Sequence, residues 1–223
     1  VESSGLLSMR KTKEKIYLFS LTPSSNKEVV HAPLQRVEPL LPIPDLSGYD
    51  ALIFTSKTAI KIIDQATQEY KNIPSICVGD STSKELLMRG GTLLESASGY
   101  GDELYNIIKS SHGSKRLLFV RAQKIASNFS SRLRDDGVKI DESIVYRTVC
   151  VDTKPVDVDE RAILIFTAPS TVECFSRLYG FTGRQKIVAI GSTTVLALLH
   201  HKQSCVIAQN RSIESCIQRA LKL

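Results

Sequence analysis

Short, unbroken apolar runs alternate along this chain with longer stretches in which apolar residues recur every three or four positions. Residues 51–54 and 162–166 are runs of the first kind, the pattern of strands buried on both faces. Each is followed by Ser or Thr at positions suited to a helix N-cap, and then by a helical pattern. After residue 54 that helix carries Ala59, Ile62, Ile63 and Ala66 on one face. Further strands are predicted at 16–20, 75–78, 116–121 and 187–190. The runs at 75–78 and 187–190 each lead into a glycine and a Ser/Thr cluster that opens another helix. The first of these helices ends at Gly90-Gly91, a glycine C-cap. A further helix is predicted near 129–135, closed by a turn at Gly137. Strands alternating with helices predict parallel sheets covered by helices on both faces.

The pattern repeats. Ile53-Phe54-Thr55-Ser56-Lys57-Thr58-Ala59-Ile60 matches Ile165-Phe166-Thr167-Ala168-Pro169-Ser170-Thr171-Val172, and Ile53 and Ile165 stand 112 positions apart. Ile76-Cys77-Val78-Gly79-Asp80-Ser81-Thr82 matches Val188-Ala189-Ile190-Gly191-Ser192-Thr193-Thr194 at the same offset of 112. Two separated matches at one gapless offset mark two copies of one α/β unit.

Between the copies, residues 39–44 are extended and punctuated by proline. Residues 143–151 alternate in the β-branched manner of a second extended crossing, and a Pro- and Asp-rich loop follows at 152–160. The expected fold is therefore α/β, with two similar domains, each a parallel sheet flanked by helices, joined by a two-stranded extended linker. One domain comprises residues 10–38 and 152–223; residues 45–142 form the other, inserted between those parts. Their junction is the expected ligand cleft. Residues 1–9 read as vector-derived residues ahead of a natural start at Met9, outside the fold.

Composition narrows the chemistry. With 42% hydrophobic and 23% charged residues the chain is ordinary for a soluble globular protein, and no run approaches the ~18 apolar residues of a membrane span. Without an export signal the expected compartment is the cytoplasm, and nothing marks an oligomer interface, so a monomer is expected. Five dispersed cysteines with no C-x-x-C pair suggest reduced thiols in the core. The four histidines show no metal-ligand spacing. The net charge of +6 favours an anionic partner. Its basic residues are dispersed, aromatics make up only 6%, and no nucleic-acid motif is legible, so a small polyanion fits better than nucleic acid.

In an open parallel sheet, ligands gather beyond the carboxyl ends of the strands. The repeat places four strand-to-helix loops there: Thr55-Ser56-Lys57-Thr58, Gly79-Asp80-Ser81-Thr82, Thr167-Ala168-Pro169-Ser170 and Gly191-Ser192-Thr193-Thr194. Free N–H groups and the positive end of a helix dipole make each an anion cradle, although the same hydroxyls also serve simply as helix caps. Neither G-x-G-x-x-G nor G-x-x-x-x-G-K-[ST] is present, so nucleotide binding lacks its usual motif.

In order and spacing, Phe54-Thr55-Ser56 with Ala59, Val78-Gly79-x-x-Thr82, Val145-Tyr146-Arg147-Thr148, Phe166-Thr167-x-Pro169-Ser170 and Ile190-Gly191-x-Thr193-Thr194 resemble the uroporphyrinogen-III synthases. The resemblance runs from about residue 16 to 221. Two departures are Thr58, where the family often has Asn, and Ala168, where a serine is common. The resemblance implies two α/β domains and a polyanionic substrate, hydroxymethylbilane, with acetate and propionate groups on each of its four pyrroles. It implies no metal or organic cofactor. In the family chemistry the terminal hydroxyl departs to leave an azafulvene, and the last ring attacks through its substituted carbon to give a spiro intermediate. Fragmentation and reclosure then invert that ring.

By resemblance Tyr146 is the catalytic candidate, assisting departure of the hydroxyl; the alternative is a tyrosine that packs between the domains. Thr55, Ser56, Gly79, Thr82, Ser170, Gly191, Thr193 and Thr194 are candidates for holding substrate carboxylates, and Arg121, at the end of its strand, could pair with one. The competing functions are a two-lobed cytoplasmic module that binds a small polyanion without chemistry, and a flavodoxin-like binder of phosphate or flavin.

Overall fold

The apolar runs form strands whose two faces feed different cores. A computed structural model describes residues 14–99, 101–125 and 127–223, so the expectations for residues 1–9, and for a domain beginning at residue 10, fall partly or wholly outside the described residues. The strands are β1 (Ile16–Phe19), β2 (Val29–His31), β3 (Gln35–Pro39), β4 (Ala51–Phe54), β5 (Ser75–Val78), β6 (Leu93–Ala97), β7 (Leu117–Ala122), β8 (Ile140–Cys150), β9 (Ile163–Phe166), β10 (Lys186–Ala189) and β11 (Val206–Ile207). The α-helices are α1 (Lys57–Ala66), α2 (Asp80–Met88), α3 (Asp102–Ile107), α4 (Phe129–Asp135), α5 (Pro169–Leu178), α6 (Ser192–His200) and α7 (Ile213–Ala220). A π turn at Ile108–His112 extends α3. The offset of the sequence repeat is structural: β4 and β9, α1 and α5, and α2 and α6 each begin and end 112 residues apart.

The described residues divide into two compact units, one of residues 37–148 and one of residues up to 36 with 149–223. In the first, the strand order is β3-β8-β7-β4-β5-β6, and β4 runs parallel to both β5 and β7. Leu52, Phe54, Leu118 and Val120 point to one face, where they pack with Ala59, Ile60, Ile62 and Ile63 of α1 and Leu86 of α2. Ala51, Ile53, Leu117 and Phe119 point to the other, against Leu104 of α3, Ile108, and Phe129 and Leu133 of α4. The period of two along each strand thus builds a core on both sides of one sheet. Along α1, Ile60 is buried and Ala66 is exposed, a small rotation from the face expected.

The other unit has the order β11-β10-β9-β1-β2, with every pairing parallel. Tyr17, Phe19, Leu164 and Phe166 pack with Val172 and Phe175 of α5 and Leu198 of α6. Ile16, Leu18, Ile163 and Ile165 pack with Cys216, Ile217 and Ala220 of α7. Both units therefore have the α/β class expected, with parallel-dominated sheets flanked by helices.

One expectation about cysteine is corrected. Cys150, at the end of β8, and Cys174, in α5, are joined by a disulfide, with Cα atoms 5.5 Å apart. Their separation of 24 residues gave no sign of it; the bond follows from the path of β8 past α5, within the range a disulfide spans. Cys77, Cys205 and Cys216 are free thiols. Burial pushes the Cys77 thiol up to about 12 and the Cys216 thiol up to about 11.

Glu142 of β8 links three elements. It accepts hydrogen bonds from Arg121 Nε of β7 at 2.6 Å, from Ser130 Oγ of α4 at 2.6 Å, and from Arg134 of α4. Burial alone would raise its carboxyl, but the Ser130 hydroxyl and the Arg121 and Arg134 guanidiniums outweigh that and hold it below the usual glutamate range.

Two predictions arise from these contacts. Denatured without reductant, the protein should titrate three thiols; after reduction it should titrate all five cysteines. A depressed carboxyl contributes stability that is complete above its unfolded value, about 4.3, and lost as pH falls through the folded one. Urea midpoints measured at pH 6 and pH 3 should therefore fall further on acidification for the native chain than for Glu142→Gln. Equal falls would remove Glu142 as a source of acid sensitivity.

Candidate active site

In the unit of residues 37–148 the site candidates sit where β4, β5 and β7 end. Thr55 and Ser56 leave β4, and Ser56 is the N-cap of α1, with extended backbone (φ −152°). Its Oγ accepts the Ala59 N–H at 3.2 Å. The same oxygen lies 3.0 Å from the hydroxyl of Tyr146. Tyr146 is on β8 and only 8% exposed, packed in the α1-side core next to Val145. Two consecutive strand residues ordinarily point to opposite faces. Here the register shifts: Arg121 pairs with Ile144, but Ala122 pairs with Tyr146. The β-bulge inserts one extra residue and so brings both Val145 and Tyr146 onto the α1 side. The backbone there is held by Leu40 N–H to Val145 O and Gln123 N–H to Tyr146 O, each 2.8 Å.

Beyond β5, Gly79 is the N-cap of α2 with φ +80°, a conformation that favours glycine. Nothing lies within 4 Å of where its Cβ would be, so the constraint is backbone conformation and not crowding. Thr82 is buried, and its N–H donates to Gly79 O at 3.0 Å. Arg121, at the end of β7, is committed within its own unit: besides Glu142, its Nη1 donates to Ala122 O at 2.8 Å and Gln123 O at 3.0 Å.

In the other unit, Ser170 is exposed near the start of α5, and its Oγ donates to Gln35 Oε1 at 3.4 Å. The α5 N-cap is Ala168, which offers no side-chain bond, and Pro169 begins the helix. Gly191 caps α6 with φ −172°, a backbone any residue adopts. Here glycine answers to space: an added Cβ would lie 3.2 Å from Arg211 Nε. Arg211 has no hydrogen-bond or ion-pair partner among the described residues. Thr193 is exposed, whereas Thr194 is fully buried with its hydroxyl unpartnered among the described residues.

Within one unit, then, Thr55, Ser56 and Tyr146 come together at the end of β4. Within the other, Gly191, Thr193 and Thr194 share the first turn of α6. The link between Ser56 and Tyr146, 90 residues apart, and the placement of Arg211 against Gly191 were not read from sequence. Only the pairing of β8 with β7 and the bulge could reveal the first; no motif signals the second. Among the described residues no group of three His, Cys, Asp or Glu could hold a metal ion, and no helix is long and apolar enough to cross a membrane.

This fold recurs in known structures. The uroporphyrinogen-III synthetase of Helicobacter pylori 26695 is 24% identical and superposes with a TM-score of 0.79, covering 94% of this chain and 99% of that one. A mutant uroporphyrinogen III synthase of the extremely thermophilic bacterium Thermus thermophilus is 16% identical, with a TM-score of 0.53 over 87% of this chain and 89% of that one. At these identities the likeness speaks for the fold. Among curated proteins there is no match. The family model described as uroporphyrinogen-III synthase HemD matches residues 24–218, nearly the whole chain. By that match the chain belongs to the uroporphyrinogen-III synthase family.

Proposed function

We propose that Tyr146 and the paired strand-to-helix loops carry out the reaction that family membership assigns to the chain. That reaction is cyclisation of hydroxymethylbilane to uroporphyrinogen III, with loss of water and inversion of ring D, in tetrapyrrole biosynthesis. The family match over residues 24–218 is the observation that carries the assignment. Tyr146 is the proton donor to the departing hydroxyl. A hydroxyl is a poor leaving group, and protonation as the C–O bond breaks lets it leave as water while the pyrrole nitrogen supplies the electron pair. The Tyr146 hydroxyl suits the role because it is held by Ser56 at a strand-to-helix turn and is not enclosed wholly by carbon.

The carboxylates of the bilane are assigned to N–H groups and hydroxyls at the first turns of α1, α2, α5 and α6, with Thr55, Ser56, Gly79, Thr82, Ser170, Gly191, Thr193 and Thr194 taking part. Arg211, lying against Gly191, adds a cation to the α6 cradle. Arg121, engaged by Glu142, contributes to such binding only if that pair opens. We read residues 10–38 with 152–223, and 45–142, as domains joined by the extended segments 39–44 and 143–151, closing on the substrate as a cytoplasmic monomer. No metal or organic cofactor enters the scheme.

A coupled assay tests the assignment. Porphobilinogen and a hydroxymethylbilane synthase supply the bilane, which closes spontaneously to isomer I. Adding this protein should make isomer III predominate after oxidation and separation. Isomer I alone, from folded protein, would refute the assignment and favour an anion-binding module. For Tyr146→Phe the rate of isomer III formation should fall roughly 10²–10⁴-fold, the usual contribution of a positioned acid; a fall under about threefold would end the acid role. Carboxylate binding is spread over many contacts, each worth about 0.3–1 kcal/mol at a helix end. Thr55→Ala, Ser170→Ala and Thr193→Ala should each lower kcat/KM less than about tenfold. Complete loss in any one of them, with folding intact, would contradict distributed binding.

A further inference from the structure

We infer that Ser56 is a positioning residue for Tyr146, orienting the phenol proton toward the substrate and linking the phenol oxygen to the N-terminus of α1. The inference rests on the proton-donor role of Tyr146 and gives Ser56 a task other than holding a carboxylate.

The geometry is a chain of three groups. Ala59 N–H donates to Ser56 Oγ at 3.2 Å, and Ser56 Oγ lies 3.0 Å from the Tyr146 hydroxyl oxygen. A serine oxygen has one hydrogen and two lone pairs. The amide of Ala59 takes one lone pair, and an amide can only donate, so this bond fixes the direction of the chain at its inner end. The serine hydrogen is then free to point at the phenol oxygen. In that arrangement Tyr146 receives a hydrogen bond from Ser56 and directs its own O–H outward, to the leaving hydroxyl. In the reverse arrangement the tyrosine proton is spent on Ser56 and is not available to the substrate.

As the C–O bond of the hydroxymethyl group breaks, its electron pair goes to oxygen, which takes the Tyr146 proton and leaves as water. The pyrrole nitrogen supplies electrons to the methylene carbon, and a phenolate remains. That phenolate is an acceptor for the Ser56 O–H, a charge-assisted bond stronger than the neutral one it replaces. The Ser56 oxygen in turn accepts an N–H from the first turn of α1, where the helix dipole favours negative charge. The phenolate recovers a proton at the final reclosure, when the unsubstituted α-carbon of the inverted ring bonds the methylene and releases its hydrogen, so protons balance over the cycle.

The bonds that hold this chain are local and partly buried. Tyr146 comes to Ser56 through the bulge in β8, and Ser56 is fixed as the cap of α1. The second copy has no equivalent serine: Ala168 caps α5 without a side-chain bond.

The test is a double-mutant cycle read in kcat and KM. Ser56→Gly removes the hydroxyl, and glycine is itself a favoured helix N-cap, so the fold is retained. It should lower kcat roughly 10–10²-fold, as loss of a charge-assisted hydrogen bond does, with KM changed less than about twofold. Ser56→Thr, which keeps a hydroxyl and a good cap, should recover most of kcat. Added to Tyr146→Phe, Ser56→Gly should lower kcat no further. Multiplying effects in the double variant, or a loss confined to KM, would overturn the inference while leaving the Tyr146 role intact. No loss for Tyr146→Phe alone would overturn both.

Discussion

Burial of each central strand on both faces is the constraint on which the rest of this structure depends. Leu52 and Phe54 serve one core and Ala51 and Ile53 the other; Leu164 and Phe166 are likewise divided from Ile163 and Ile165. No side chain of β4 or β9 is left over for chemistry, because all four positions in each are buried. Functional groups are thereby pushed to the residues just past the strand ends, where the chain turns into a helix. There, unpaired N–H groups, hydroxyls and the helix dipole coincide without any special arrangement. Because this geometry belongs to the α/β unit itself, duplicating the unit duplicates the cradles.

A strand side chain that reaches such a turn needs an exception to that rule, and β8 provides it. A regular strand would have turned either Val145 or Tyr146 away from α1. With the bulge, Val145 fills the core and Tyr146 still brings its hydroxyl to Ser56. The cost is one unpaired position in the ladder, offset locally by the bonds from Leu40 and Gln123. Bulges of this kind commonly re-aim a side chain beside a site. The neighbouring Arg121–Glu142 pair ties β7 to β8 at the same place and so steadies the strand that carries the tyrosine.

Much of this was legible in the chain because its signals are local. Four-residue apolar runs bounded by turn and cap residues are too short for buried helices and fit strands covered on both faces. The offset of 112 survives from sequence into the limits of β4 and β9, α1 and α5, α2 and α6. Weaker elements escaped for want of such signals. β2 and β11 have two or three residues each, and Leu93–Ala97 of β6 carries a glutamate and a serine among its apolar residues. α3 starts from Gly101 with no side-chain cap, and α7, although capped by Ser212, follows a strand of only two residues. Long-range pairings were not legible at all. The bond of Cys150 to Cys174, the contact of Ser56 with Tyr146 and the approach of Arg211 to Gly191 each depend on where separate elements come to rest.

The repeat also shows how two copies of one unit come to differ in chemistry. The glycines at 79 and 191 match in sequence, but one is required by a positive φ and the other by the guanidinium of Arg211 against it. Ser56 and Ala168 occupy the same N-cap position, yet only the serine can accept from its helix and also bond a neighbour. Loss of the hydroxyl at 168 is compensated by Pro169, whose missing N–H removes one of the donors a cap would satisfy, and whose fixed φ suits the first helical turn. The second copy thus keeps its helix start and its first-turn N–H groups without a capping hydroxyl. Anion binding requires only the backbone, so both copies can retain it through sequence change. Proton donation, by contrast, would require a particular side chain held in a particular direction, and the copy that packs against the bulged strand is the one that brings a serine and a tyrosine hydroxyl together.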